Sequence, residues 1–411
     1  MRLYLKRRLA LFSNHSFRSA CLMSFCAAIG VGMTYIALGW HILSIYNNMI
    51  AIIIFMFTWW IFATLLSPLT GYVADRFPRR HVVLISNTLR VALILIYLII
   101  GSFDSLVKIY LFTTLWGIIL AFFMPAMLIF VRELFESDHV LMYANSTMDG
   151  IFEIGMVIGM SLGGLLITLY SMHDLLYLLL FLMLISLFAS IGIYPKRQVE
   201  KGHGNFIQDW AEVINYLKDN RFVFWYYVAQ ICFNSLFMIV PAFLAPYAKN
   251  ILHAGAFEFG IIETSFSLGF VIGTFVMPWF ADRQGEVKVI IFALLMSAIL
   301  YVLLASVHHV GFAVLCYFFA GISVSCWAII VTLAQKNTLI TLQGKAQGVA
   351  YGISGLIVML VYLLFLIIES SHSLPANDWF YFTLVIALFT LIPLYKGHHL
   401  HQKSHGKKAS A

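Results

Sequence analysis

Apolar stretches of about 20 residues recur along this chain with only short polar breaks between them, and that repetition decides what it can fold into. Hydrocarbon offers no partner to an unpaired backbone group, so a segment crossing it must be helical. Roughly twelve such stretches can be drawn, starting near positions 18, 49, 81, 106, 143, 173, 222, 258, 287, 310, 345 and 377. Hydrophobic residues fill 62% of the 411 positions and charged residues 10%, against about 45–50% and about 25% in a soluble domain. The expectation is an all-α polytopic membrane protein with the lipid bilayer as its main partner.

Charge sets the orientation. Arg2, Lys6, Arg7 and Arg8 precede the first apolar run and no small-residue cleavage site follows it, so the first helix is read as uncleaved, with a cytoplasmic N-terminus. If the helices alternate, the Lys and Arg residues other than Arg90, Lys108 and Lys249 fall at cytoplasmic ends or loops, as the positive-inside rule demands. The net charge of +7 is then a topology signal, and basic residues dispersed among short loops argue against nucleic acid as a partner. We expect a monomeric, multi-pass protein of the cell inner or plasma membrane with both termini cytoplasmic. Cys21, Cys26, Cys232, Cys316 and Cys326 lie within apolar runs without metal-type spacing and read as packing residues.

The longest polar break, Pro195 to Arg221, divides the chain. The expected parts are a six-helix bundle over 1–194, a cytoplasmic linker over 195–221, a second bundle over 222–395 and a basic, His-rich, solvated tail over 396–411. Within the linker, Phe206, Trp210, Val213, Ile214 and Leu217 recur at helical spacing opposite Asp209, Glu212, Lys218 and Asp219, which predicts an amphipathic helix at the membrane surface. The halves echo each other. Asp75-Arg76 has a counterpart in Asp282-Arg283 about 200 residues later, and Ala144-Asn145 has one in Ala346-Gln347 at a similar offset.

The loop Gly71-Tyr72-Val73-Ala74-Asp75-Arg76-Phe77-Pro78-Arg79-Arg80 resembles the signature between helices 2 and 3 of the major facilitator superfamily of secondary transporters. Pro125-Ala126, Val131-Arg132-Glu133-Leu134, Leu141, Ala144, Asn145 and the closing Gly159, Gly163 and Gly164 resemble its drug-efflux branch, which includes bacterial siderophore exporters. Asn87 to Leu93, and the region of Gly344, Gln347 and Gly348, fit the same branch. The resemblance implies 12 transmembrane helices in two pseudo-symmetric six-helix bundles. It also implies alternating access, with no cofactor beyond a proton gradient. The implied cargo is a small amphiphilic or anionic metabolite moved outward, a siderophore first and drug-like compounds next. It further implies a conformational latch of Asp75, Arg76, Arg79 and Arg80, with Asp282 and Arg283 as the second copy. In that latch Asp75 faces the N-terminus of the eleventh helix. The chain departs from the pattern at Phe77-Pro78, and its first helix, Ser24 to Leu43, holds no acidic residue.

Charges inside apolar runs are candidates for mechanism. Asp149 and Glu153 are four residues apart and share a helix face, so their protonation can be coupled, as a proton-driven transporter requires. The structural alternative is exposure to water or pairing with Arg132 or Arg90. Arg90 is expected either to contact an anion in the transport path or to tie to Asp149, Glu153 or Glu133. Glu263, on the eighth helix, lines the outer vestibule or sits at the interface. Gly30, Gly32, Gly39, Gly269 and Gly273 permit close helix contact. No phosphate-cradling loop or hydrolytic constellation is present, so the chain is not read as an enzyme or an ATP-driven pump. An importer, a lysophospholipid flippase or a non-transporting sensor of the same fold stays open beside export.

Overall fold

The computed structural model describes residues 10–66, 69–70, 73, 77–100, 103–135, 138–194, 206–339, 342–371 and 374–409. Its helices are α1 (His15–Tyr46), α2 (Met49–Leu65), α3 (Arg79–Ile100), α4 (Leu106–Glu133), α5 (Asp138–Leu169), α6 (Met172–Ile191) and α7 (Phe206–Asp219). They continue with α8 (Arg221–Ile239), α9 (Pro241–Asn250), α10 (Ala256–Gln284), α11 (Glu286–Ser306), α12 (Val310–Val324), α13 (Trp327–Lys336), α14 (Gln343–Ser371) and α15 (Trp379–Ala409). Among the described residues, 11 helical spans are long and apolar enough to cross a membrane, and α8–α9 and α12–α13 each count as one. The stretch expected near 49 gives a shorter apolar helix of 17 residues, α2.

The chain forms two compact units. The first comprises Met1–Tyr46, Phe57–His203 and Ala256–Thr264; the second comprises Asn47–Met56, Gly204–Gly255 and Ser265–Ala411. The first nine residues of α10 thus belong with the first unit.

In the first unit α1 packs along α5 and α6, and α3 along α4 and α6. Glycine makes the α1–α5 approach possible. A Cβ on Gly159 would lie 2.2 Å from the Ile29 carbonyl oxygen and one on Gly163 2.7 Å from that of Met33, so backbone meets backbone. Phe17, Met23, Phe123, Met127 and Met148 fill one end of this unit. α6 begins with a capping box: Ser171 Oγ accepts from the Asp174 N–H at 3.2 Å while Asp174 Oδ2 accepts from the Ser171 N–H at 3.1 Å.

In the second unit α8 packs on α13, α14 and α15, and α11 on α12 and α15. Phe380 anchors an aromatic cluster, with the Phe243 ring 4.9 Å and the Tyr247 ring 5.0 Å away, both edge-on. α7 is tied to this unit. Glu212 pairs with Lys345 at 2.6 Å, Val213 is buried, and the Tyr216 hydroxyl donates to the Asn337 carbonyl at 3.3 Å. Ile214, expected on the apolar face, is 42% exposed.

The C-terminal segment, expected as a solvated tail, is helical. α15 continues through residues 396–409 as helix. Its first turns there lie on aromatic side chains of α8, with Lys396 4.6 Å from the Trp225 ring and His401 5.2 Å from that of Phe222. Composition could not show this, because the covering surface lies about 170 residues earlier in the chain.

Candidate functional site in the first unit

Two helices, α1 and α5, and the start of a third, α10, meet around Glu263. α5 carries Met160 and Gly164 on one face, and Gly260 of α10 packs there: a Cβ on Gly164 would come within 3.0 Å of the Gly260 Cα. Ser161 and Thr264 share a hydroxyl hydrogen bond of 2.7 Å across the same contact. Glu263 is next to Thr264, in the third turn of α10 and about 10 Å along its axis from the first residue. Its side chain is buried, at 6% exposure, and Oε1 accepts from the Tyr35 hydroxyl of α1 at 3.2 Å. Glu263 makes no ion pair among the described residues.

The rings of Tyr35 and of Phe259, one turn before Glu263 on α10, each pair with a second aromatic ring. Tyr35 sits edge-on to Trp59 with centroids 6.1 Å apart, and Trp40 stacks on Phe259 at 5.8 Å. The Tyr35 ring packs against apolar surface while its hydroxyl reaches a carboxyl, the use of tyrosine that an apolar layer favours. A buried carboxylate that lacks a cation is costly, so the charge on Glu263 is coupled to whether water reaches it. That property is what a proton-coupled step needs.

The other expected residues fall as follows. Glu153 is half-buried on α5, on the face that Met160 and Gly164 present to α10, seven and eleven residues before them. The side chain of Asp149 lies outside the described residues, as do Asp75 and Arg76. Arg79 is buried. Arg80 donates to the Ile191 carbonyl at 3.0 Å and lies 4.3 Å from the Tyr194 ring centroid, so it caps the last turn of α6, where a helix carries partial negative charge. Asp282 is exposed, and Arg283 lies 4.0 Å from the Trp279 ring. Gly285, which follows them, has φ 92°, a left-handed turn that a side chain would strain. Glu286 pairs with Lys336 just beyond that turn. Arg90 is wholly buried against Asn87, Trp116 and Phe123.

Sequence reasoning missed Tyr35, Ser161 and Thr264. A tyrosine inside a largely apolar first helix was the available signal. It also missed Gln230 of α8, which in the second unit exchanges amide hydrogen bonds with Gln347 of α14 at 2.7 and 3.2 Å, both side chains buried.

The profile of the Major Facilitator Superfamily matches residues 20–247 and 234–410. Macrolide efflux protein A of Streptococcus pyogenes is 21% identical over 345 residues, spanning 80% of this chain and 82% of its own length, and the serotype M6 protein of that name matches equally. Among solved structures, a mutant of the nucleoside transporter NupG superposes with a TM-score of 0.74 at 14% identity, over 93% of this chain and 99% of that one. The NupG structure without that substitution gives 0.71 at 15% identity, over 94% and 98%. The helical spans, their order and these matches place the chain in the major facilitator superfamily of secondary transporters, which are not enzymes.

Proposed function

We propose that this protein is a proton-coupled exporter of the drug-efflux type, with Glu263 as the group that exchanges the proton. The observation that carries the reading is the buried Glu263 carboxyl, which accepts from the Tyr35 hydroxyl at 3.2 Å. The likeness to macrolide efflux protein A over 80% of the chain supports outward transport and a bulky amphiphilic cargo. An aromatic surface with few polar groups suits such a molecule better than a sugar. A siderophore remains within this cargo class, and nothing in the comparisons favours it over a drug-like compound.

Alternating access would carry the cargo, with protonation of Glu263 favouring one access state and deprotonation the other. Glu153 is the second carboxyl on this route, on the α5 face that meets α10. For Asp75 we keep the latch role that the loop motif implies, so Asp75→Asn should slow turnover while leaving expression and folding intact. The deciding experiment reconstitutes the protein in vesicles and follows a macrolide under an imposed pH gradient. Uphill movement that collapses when the gradient is dissipated supports the reading; movement indifferent to the gradient, or none for any amphiphile tried, counts against it.

A further inference from the structure

Arg90 sits in the second half of α3 with no exposed surface. Its Nη1 donates to Asn87 Oδ1 at 3.3 Å, one turn earlier on the same helix. The guanidinium lies 4.0 Å from the Phe123 ring centroid and 5.7 Å from that of Trp116, both on α4. Asn87 Oδ1 also accepts from Ser186 Oγ of α6 at 3.4 Å, and Ser186 reaches the Met23 carbonyl of α1 at 3.2 Å. Four helices therefore converge on this point.

What these side chains leave over is all of one kind. Arg90 Nε and Nη2, Asn87 Nδ2 and Trp116 Nε1 are buried and meet no acceptor among the described residues. Each of the four is an N–H donor. The one acceptor of the group, Asn87 Oδ1, is already taken by Arg90 and Ser186. The two rings answer the faces of the guanidinium with their π clouds but offer nothing to its edge. A buried cation with open donors is penalised in an apolar layer until a counter-charge meets it. The excess of donors and the positive charge specify the sign of the partner, and the close packing specifies a small one.

We propose that Arg90, Asn87 and Trp116 form a buried site for a small monovalent anion, a halide or a carboxylate group. The fork of Arg90 supplies the charge-assisted bonds and the amide and indole N–H groups complete the donor set. Binding would neutralise the charge inside the first unit and brace α1, α3, α4 and α6 together. This site is separate from Glu263 and does not depend on the direction of transport or on its coupling ion.

The test is thermal unfolding of the purified full-length protein in detergent, titrated with chloride, bromide or acetate against methanesulfonate, which carries neither a halide nor a carboxylate, at constant ionic strength. A saturable rise in melting temperature is expected. A rise with halides alone identifies an inorganic ion, and a rise with acetate alone identifies the carboxylate of an organic ligand. Trp116→Phe keeps the ring and deletes one N–H, so it should weaken the apparent affinity about tenfold with the fold retained. Arg90→Gln should abolish the saturable component; if that variant fails to fold, Trp116→Phe and Asn87→Leu carry the test. A linear salt effect unchanged by Trp116→Phe overturns the site. So does a mutant cycle in which Arg90→Gln and Asp149→Asn, Glu133→Gln or Glu153→Gln are each destabilising but harmless together, since the counter-charge would then be the protein's own.

Discussion

Tyr35 of α1 donates to Glu263 of α10 across 3.2 Å, joining residues more than 200 positions apart through a buried carboxyl. A glutamine at 263 can still accept that hydrogen bond but cannot take up or release a proton. Glu263→Gln is therefore expected to abolish uphill, gradient-driven transport while sparing exchange of cargo across vesicles at equal pH. Loss of both activities in a well-folded variant would make Glu263 a cargo contact, and retention of both would remove it from the mechanism.

Tyr35→Phe deletes the donor and little else. A hydrogen bond to an ionisable group contributes about 1.5–3 kcal/mol, and each 1.4 kcal/mol is about tenfold in rate or equilibrium. We expect transport to fall by about tenfold or more with the protein level in the membrane unchanged. Initial rates over a series of external pH values check this, because a merely structural role would lower the rate without reshaping the profile.

Two glycines on α5 make opposite forecasts. A Cβ at Gly159 would stand 2.2 Å from a backbone oxygen of α1, whereas one at Gly150 would meet nothing within 4 Å. Gly159→Ala should destabilise the protein by about 1–3 kcal/mol through forced separation of two helices. Gly150→Ala should stabilise it by up to about 1 kcal/mol, since alanine loses less backbone freedom in a helix. Denaturation of the two variants side by side in the same detergent reads both.

Gln230 and Gln347 satisfy each other, so removing one strands a buried amide. Either Gln→Leu change alone is expected to cost about 1–3 kcal/mol, and the double variant should recover most of it. Additive losses in a double-mutant cycle would show that the pair is not a coupled unit.

Much of the fold was legible because hydrocarbon imposes one demand on every crossing segment. The starts near 81, 106, 173, 222, 287 and 310 fall within a few residues of α3, α4, α6, α8, α11 and α12. Gly159 and Gly163 stood out only as motif residues, and their part in bringing α5 against α1 depends on how the two helices face each other. The candidate site was half legible. Glu263 stood out as a charge in an apolar run, but its partner is a tyrosine hydroxyl, and aromatic residues are too common in membrane helices for one to mark itself. Arg90 was visible as a buried cation that needed an answer, whereas its company of Asn87, Trp116 and Phe123 depends on how α3 and α4 turn toward each other. The helical run beyond position 396 was hidden because its support comes from α8.

The second unit holds two interrupted spans. Pro241, which has no N–H to give, separates α8 from α9, and α12 passes to α13 through a tightened turn where the Cys326 N–H bonds three residues back to Ser323 and Ser325 Oγ bonds back to Ile322. The spans of the first half that the internal echo sets against them, α1 and α4, run as continuous helices of 32 and 28 residues. Val240-Pro241 and Ser325-Cys326 are therefore the points in the second unit where a bend would meet least resistance.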